Sequence, residues 1–148
     1  MAKFVFKLQS LLNVKNQMEE NLKNELGKAI QKLEYEKSIL KRLEEEKEEN
    51  IGHIYNKSNA GISVGELREY NAYIGYLGEK ILLQKENINY AQDCVDKYRE
   101  ELIKIVRERE MLEKLKEKKY KDYLNEQLQE EQRLNDEIVS FKYNTKDK

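Results

Sequence analysis

Few residues in this chain could do bond-making chemistry, and their spacing does not assemble a catalytic site. His53 is the only histidine and has neither a cysteine nor a second histidine near it, so it lacks the clustered ligands that a metal ion needs. Gly27, Gly52, Gly61, Gly65, Gly75 and Gly78 are scattered, and none opens a phosphate-binding loop completed by Lys-Ser or Lys-Thr. Carboxylates are abundant, but on exposed helix faces they have neither the burial nor the fixed opposition that acid and base work requires. The reading is of a protein that is not an enzyme and holds no metal or cofactor, and whose chemistry is association.

Association needs surfaces, and surfaces need elements to carry them. Read at alternating steps of three and four, α-helical spacing lines up Leu67, Tyr70, Ile74, Leu77, Ile81, Gln84, Ile88, Ala91, Val95, Tyr98, Leu102, Ile105, Arg109 and Leu112. Only Gln84 and Arg109 in that series are polar. A period of 3.5 residues held over six heptads keeps one narrow stripe toward a partner helix, the pattern of a left-handed coiled coil. Composition agrees: the 148 residues are 39% charged and contain no proline and no tryptophan, as long helices do and loop-rich globular enzymes do not. Basic and acidic side chains number 28 and 29, so no net field draws the chain to nucleic acid. Glu44, Glu45, Glu46, Glu48 and Glu49, and later Lys114, Lys116, Lys118, Lys119 and Lys121, read as solvated faces.

No segment has the roughly 20 apolar residues that span a bilayer, and Lys3 and Lys7 break the short apolar opening, so neither membrane insertion nor a signal peptide is expected. One cysteine, Cys94, cannot close an intramolecular disulfide, in keeping with a reducing cytoplasm. In that compartment the Asn56-Lys57-Ser58 sequon is a chance match.

A second stripe, Leu8, Leu11, Leu12, Met18, Leu22, Leu26, Ala29, Leu33, Leu40, Leu43, Ile51 and Ile54, predicts a first amphipathic helix whose spacing drifts. Turn chemistry is confined to the stretch from Tyr55 to Gly65. Ser63 and Glu66 form a capping box and Ile62 and Leu67 a hydrophobic staple, which sets the start of the second helix. The fold class is therefore all-α, a long antiparallel two-helix coiled-coil hairpin with a C-terminal single-helix overhang. The expected bounds are helix 1 at about 3–55, turn at about 56–63, helix 2 at about 64–141 and a short disordered tail, in one hairpin spanning 1–148.

A turn near residues 59 and 60 places Gln84 opposite Tyr35 and Glu36, where the first stripe skips a step, a matched polar layer of the kind that fixes register. It also places Phe4 opposite Leu115. At 1.5 Å per residue the paired arm is roughly 80 Å long and the overhang roughly 40 Å more. The overhang keeps a patchier stripe through Tyr120, Tyr123, Leu124, Leu128, Leu134, Ile138 and Phe141, and an unpaired helix of that kind calls for a partner. Tyr73 and Tyr76, off the seam near the turn, either shield it or form a docking patch.

Three stretches together resemble the FliJ family, small coiled-coil stalk proteins of the flagellar type III export apparatus. They are Phe4-x-Phe6-x-Leu8-Gln9-x-Leu11-Leu12-x-x-Lys15, then Gly61-Ile62-Ser63 followed by Leu67, Tyr70, Ile74, Leu77 and Ile81, then Glu131-x-x-Leu134-Asn135-Asp136-Glu137-Ile138. The resemblance implies a fold like the central stalk of rotary ATPases, with the joined ends set in the pore of a hexameric export ATPase. Phe4, Phe6, Leu8, Leu11, Leu12, Leu128, Leu134, Ile138 and Phe141 are then the expected ring-binding residues. It also implies contact between the hairpin tip and the cytoplasmic domain of the export gate, here through Leu43, Tyr73 and Leu77, and the handling of export chaperones. Glu46 and Asn50 depart from the pattern, standing where enteric members have tyrosines. The implied place is the cytoplasm, peripheral to the inner face of the membrane at the flagellar base. Competing readings are a self-assembling structural coiled coil, a chaperone arm, and the equivalent stalk of a virulence secretion system.

Overall fold

A computed structural model describes residues 3–146. Two helices, α1 (Gln9–Ala60) and α2 (Val64–Lys146), pack against each other as an antiparallel hairpin, and the described residues contain no strand. The whole stripe read from α2 lies inside: each of its positions from Leu67 to Leu112 is buried or half-buried, with Leu77 and Val95 only 1% and 0% exposed.

The α1 side corrects the reading of a drifting seam. Leu12, Lys15, Glu19, Leu22, Leu26, Ala29, Leu33, Glu36, Leu40, Leu43, Lys47, Asn50 and Ile54 are all buried or half-buried, in unbroken steps of three and four. The repeat is as regular as that of α2, but five of its members are polar, so a search for apolar residues lost the phase and drew in Leu8, Leu11, Met18 and Ile51, which are exposed.

Helix bounds shift from those expected at three places. The α1 helix runs through Asn56, Ser58 and Asn59 to Ala60, because those residues cost only a few tenths of a kcal/mol each in a helix and Lys57 complements the dipole of the last turn. What ends it is Gly61, whose φ of 96° is the left-handed C′ position that a Cβ disfavours. The turn shrinks to Gly61, Ile62 and Ser63; the Glu66 amide donates to Ser63 Oγ at 3.1 Å and the Leu67 amide to the Ser63 carbonyl at 3.0 Å, the expected cap of α2. The α1 helix starts at Gln9, not near residue 3, for the reason given with the site below. The α2 helix runs to Lys146, past the expected 141, with no Pro or Gly to stop it and with Thr145 Oγ1 donating to the Phe141 carbonyl at 2.9 Å. Of the expected disordered tail, residues 142–146 are helical and the last two residues lie outside the described ones.

The chain divides into two compact units. One is Glu20–Ile103; the other joins the residues up to Glu19 with those from Lys104 onward. The core of the first is Leu33, Ala91 and Val95, with Leu26, Ala29, Ile30 and Ile88 packed around them. Above it in the same unit sits the predicted polar layer: Gln84 Nε2 donates to the Glu36 carbonyl at 2.8 Å and to Glu36 Oε2 at 2.5 Å. Gln84 is only 6% exposed, so any slip of register would strand a buried amide without partners.

Candidate functional site

In the unit built from both chain ends, residues 3–6 lie outside any helix and their burial alternates as that of extended chain does. Successive side chains of extended chain point to opposite sides, so Phe4 and Phe6 turn inward while Val5, between them, is 75% exposed. Phe6 is 7% exposed, and Phe4 lies edge-on to Tyr120 and tilted against Tyr123, with ring centroids 5.2 and 5.5 Å apart. Extended chain advances about 3.3 Å per residue against 1.5 Å in a helix. That difference carries Phe4 past Leu115, its expected neighbour, to Tyr120 and Tyr123, and it accounts for the late start of α1. The segment is clasped by rings that sequence inspection placed in the overhang stripe without assigning them a role.

Below the clasp is a second polar layer. Glu19, 8% exposed, takes Arg109 Nε at 2.5 Å from Oε2, and Arg109 Nη1 reaches Glu113 at 2.9 Å. Beside it Lys15 Nζ lies 2.7 Å from Glu108 Oε2. The lysine holds the Glu108 carboxyl below its ordinary value against the opposing effect of desolvation. A group whose pKa is lowered on folding contributes stability above its unfolded value of 4.5, and that contribution is lost as pH falls through the lowered one. The melting-temperature difference between the native chain and Glu108→Gln is therefore expected to be full at about pH 6 and to shrink steadily as pH falls below 4.5, read by far-ultraviolet circular dichroism. A difference that is constant across this range would refute the assignment.

The ring-binding candidates fall into two groups. Phe6 and Leu12, 7% and 4% exposed, are structural anchors, and Phe4 is half-buried. Leu8, Leu11, Leu128, Leu134, Ile138 and Phe141 are available, at 39, 43, 64, 48, 53 and 70% exposure. Val14 and Met18, 52% and 40% exposed, continue along α1 the row of Leu8, just before the helix, and Leu11. At about 100° per residue, Leu124, Leu128, Leu134, Ile138 and Phe141 share an arc of about 140° on α2.

In the other unit, Tyr73 and Tyr76 stack at 6.2 Å, 39% and 49% exposed, and Lys80 Nζ lies 4.8 Å from the Tyr76 ring centroid. Glu46, one of the two departures from the family pattern, accepts a hydrogen bond from the Tyr73 hydroxyl, and this bond holds the phenol above its ordinary pKa. The other departure, Asn50, is in the seam and donates to the Glu46 carbonyl at 2.8 Å. Lys57 Nζ caps the Tyr70 ring at 5.0 Å. Of the residues expected here, Tyr73 is accessible, Leu43 is half-buried, and Leu77 lies beneath the surface at 1% exposure.

These features define a class: a coiled-coil hairpin with register fixed by buried polar layers and with aromatic and leucine-rich surfaces left open beside them. The chain belongs to the FliJ family, because the family profile described as "Flagellar FliJ protein" matches it over residues 4–148. Membership makes it a protein of the flagellar type III export class. Among solved structures, a protein of Chlamydia trachomatis described as a YscO homologue shares the fold, with a TM-score of 0.69 at 22% identity and 94% of each chain covered. No curated protein matches the sequence. No helix of the described residues is long and apolar enough to cross a membrane.

Proposed function

We propose that this chain is a non-catalytic stalk of the flagellar export apparatus, acting in the cytoplasm at the flagellar base. Its overhang and N-terminal segment enter the pore of the hexameric export ATPase and promote ring assembly or turnover. Its Tyr73 patch meets the cytoplasmic domain of the export gate, and export chaperones are further partners. The observation that supports this most is the exposed row Leu128, Leu134, Ile138 and Phe141, on a helix that stays regular to Lys146. Apolar rows on a lone helix are stable in water only when a partner covers them.

An asymmetric two-helix element in a six-fold pore cannot touch every subunit alike. It therefore biases the subunits toward different nucleotide states by binding some states better than others. The test is ATP hydrolysis and ring assembly by the cognate ATPase with the full chain and with a chain lacking residues 116–148. Stimulation and hexamer formation are expected with the first and absent with the second. Equal effects of the two chains would sink the reading.

A further inference from the structure

Two exposed surfaces of this chain fit each other. Tyr76, Leu83 and Tyr90 follow one another at seven-residue intervals on α2 and are 49, 59 and 67% exposed. Heptad spacing keeps them on one line on the outer side of α2, and Lys97 is the next member of that line. Tyr90 borders a groove between the helices whose small floor residues, Ala29 and Ala91, leave room for a third helix to approach. Lys28 and Lys32 stand on the α1 wall of the groove with Glu25, and Lys80 lies over the Tyr76 ring. The groove side of the line thus carries three lysines against one carboxylate, Glu25, which lies 3.7 Å from Lys28 Nζ. Its solvent side carries Glu79, Glu86 and Asp93, all exposed and again seven residues apart.

An occupant of this face needs an apolar stripe, acidic side chains on one flank and basic or neutral ones on the other. The overhang of α2 has that arrangement. Tyr120, Leu124, Gln127, Glu131, Leu134, Ile138 and Phe141 follow steps of four and three. Directly beside that stripe, one flank carries Tyr123, Glu130 and Glu137, and the opposite flank carries Lys121, Leu128, Asn135 and Lys142. Matching acids to the lysines of α1 and lysines to the acids of α2 also selects one direction for the docked helix, because reversing it would set like charges together.

We propose that the overhang of one copy docks as a third helix on the line of Tyr76, Leu83 and Tyr90 of a second copy. The inference does not rest on the export reading, but it uses the same row of Leu134, Ile138 and Phe141, so a second copy and the ATPase ring would compete for the overhang. The contact joins two different patches, so it closes as a reciprocal pair or propagates head to tail, and in either form it covers the overhang.

Sedimentation equilibrium of the full chain tests it, alongside Leu83→Glu and Leu134→Glu, whose helicity is checked by circular dichroism. Both side chains are exposed, at 59% and 48%, so both variants are expected to fold. The native chain is expected to self-associate, about tenfold or more tighter than either variant, and to weaken as salt is raised. Mixing the two variants is expected to restore association, because each supplies the surface that the other lacks. A native chain of monomer mass at every concentration overturns the proposal. So does a Leu83→Glu chain that associates like the native one, which would mean overhang pairing with overhang, and so does a mixture no tighter than its components.

Discussion

Val95→Asp is expected to lower the melting temperature by roughly 10 °C or more, the largest change available from one substitution in the unit Glu20–Ile103. Val95 is 0% exposed and packs with Leu33 and Ala91 in a cluster that Leu26, Ala29 and Ile30 of α1 close with apolar side chains. None of these can pair a carboxylate, and leaving a charge buried and unpaired costs about 3–5 kcal/mol. Val95→Ala removes packing alone and should cost about 2 kcal/mol. Leu83→Glu, on the outer side of the same helix, should stay within about 0.5 kcal/mol of the native chain when both are melted at concentrations too low for association. Thermal melts of the three variants, followed by far-ultraviolet circular dichroism, order them in that way if the seam is the one described. A Val95→Asp chain that melts like the native one would mean that Val95 does not face α1.

The contrast between the two helices explains how much of this could be read in advance. On α2 the seam is apolar at all but two of its positions from Leu67 to Leu112, so periodicity alone identified its buried face. The Gln84 and Glu36 layer was legible because each stripe breaks at the same height. The α1 seam was not, because Lys15, Glu19, Glu36, Lys47 and Asn50 occupy positions that an apolar count skips. The missing signal was present in Arg109: a cation in the partner seam requires an anion in register, and Glu19 lies one residue from Met18, a member of the apolar count. Testing a heptad for polar partners as well as for leucines would have recovered the phase. The extended N-terminal segment was illegible for a different reason. Its alternating Phe4, Val5 and Phe6 also fit a helical opening, and only the rings of Tyr120 and Tyr123 decide between the two.

The candidate surfaces divide along the same line, and the division sets the second large effect. Residues picked for the family motif include both anchors, such as Phe6, Leu12 and Leu77, and exposed side chains, such as Leu128 and Ile138. Substituting an anchor would confound folding with binding. Leu128→Glu with Ile138→Glu changes side chains that are 64% and 53% exposed on a helix whose seam lies elsewhere, and glutamate is a good helix former. The melt of the double variant should therefore match that of the native chain. If these leucine and isoleucine side chains are covered in the ATPase pore, their replacement also buries two carboxylates there, and each lost apolar contact is worth about 1.5–3 kcal/mol. The expected result is a loss of ATPase stimulation of about a hundredfold or more in apparent affinity, with secondary structure intact. Stimulation by the double variant at native concentrations would show that the ring does not use this row, and would move the ring contact to Leu8, Leu11, Val14 and Met18 on α1, the other exposed apolar row of the same unit.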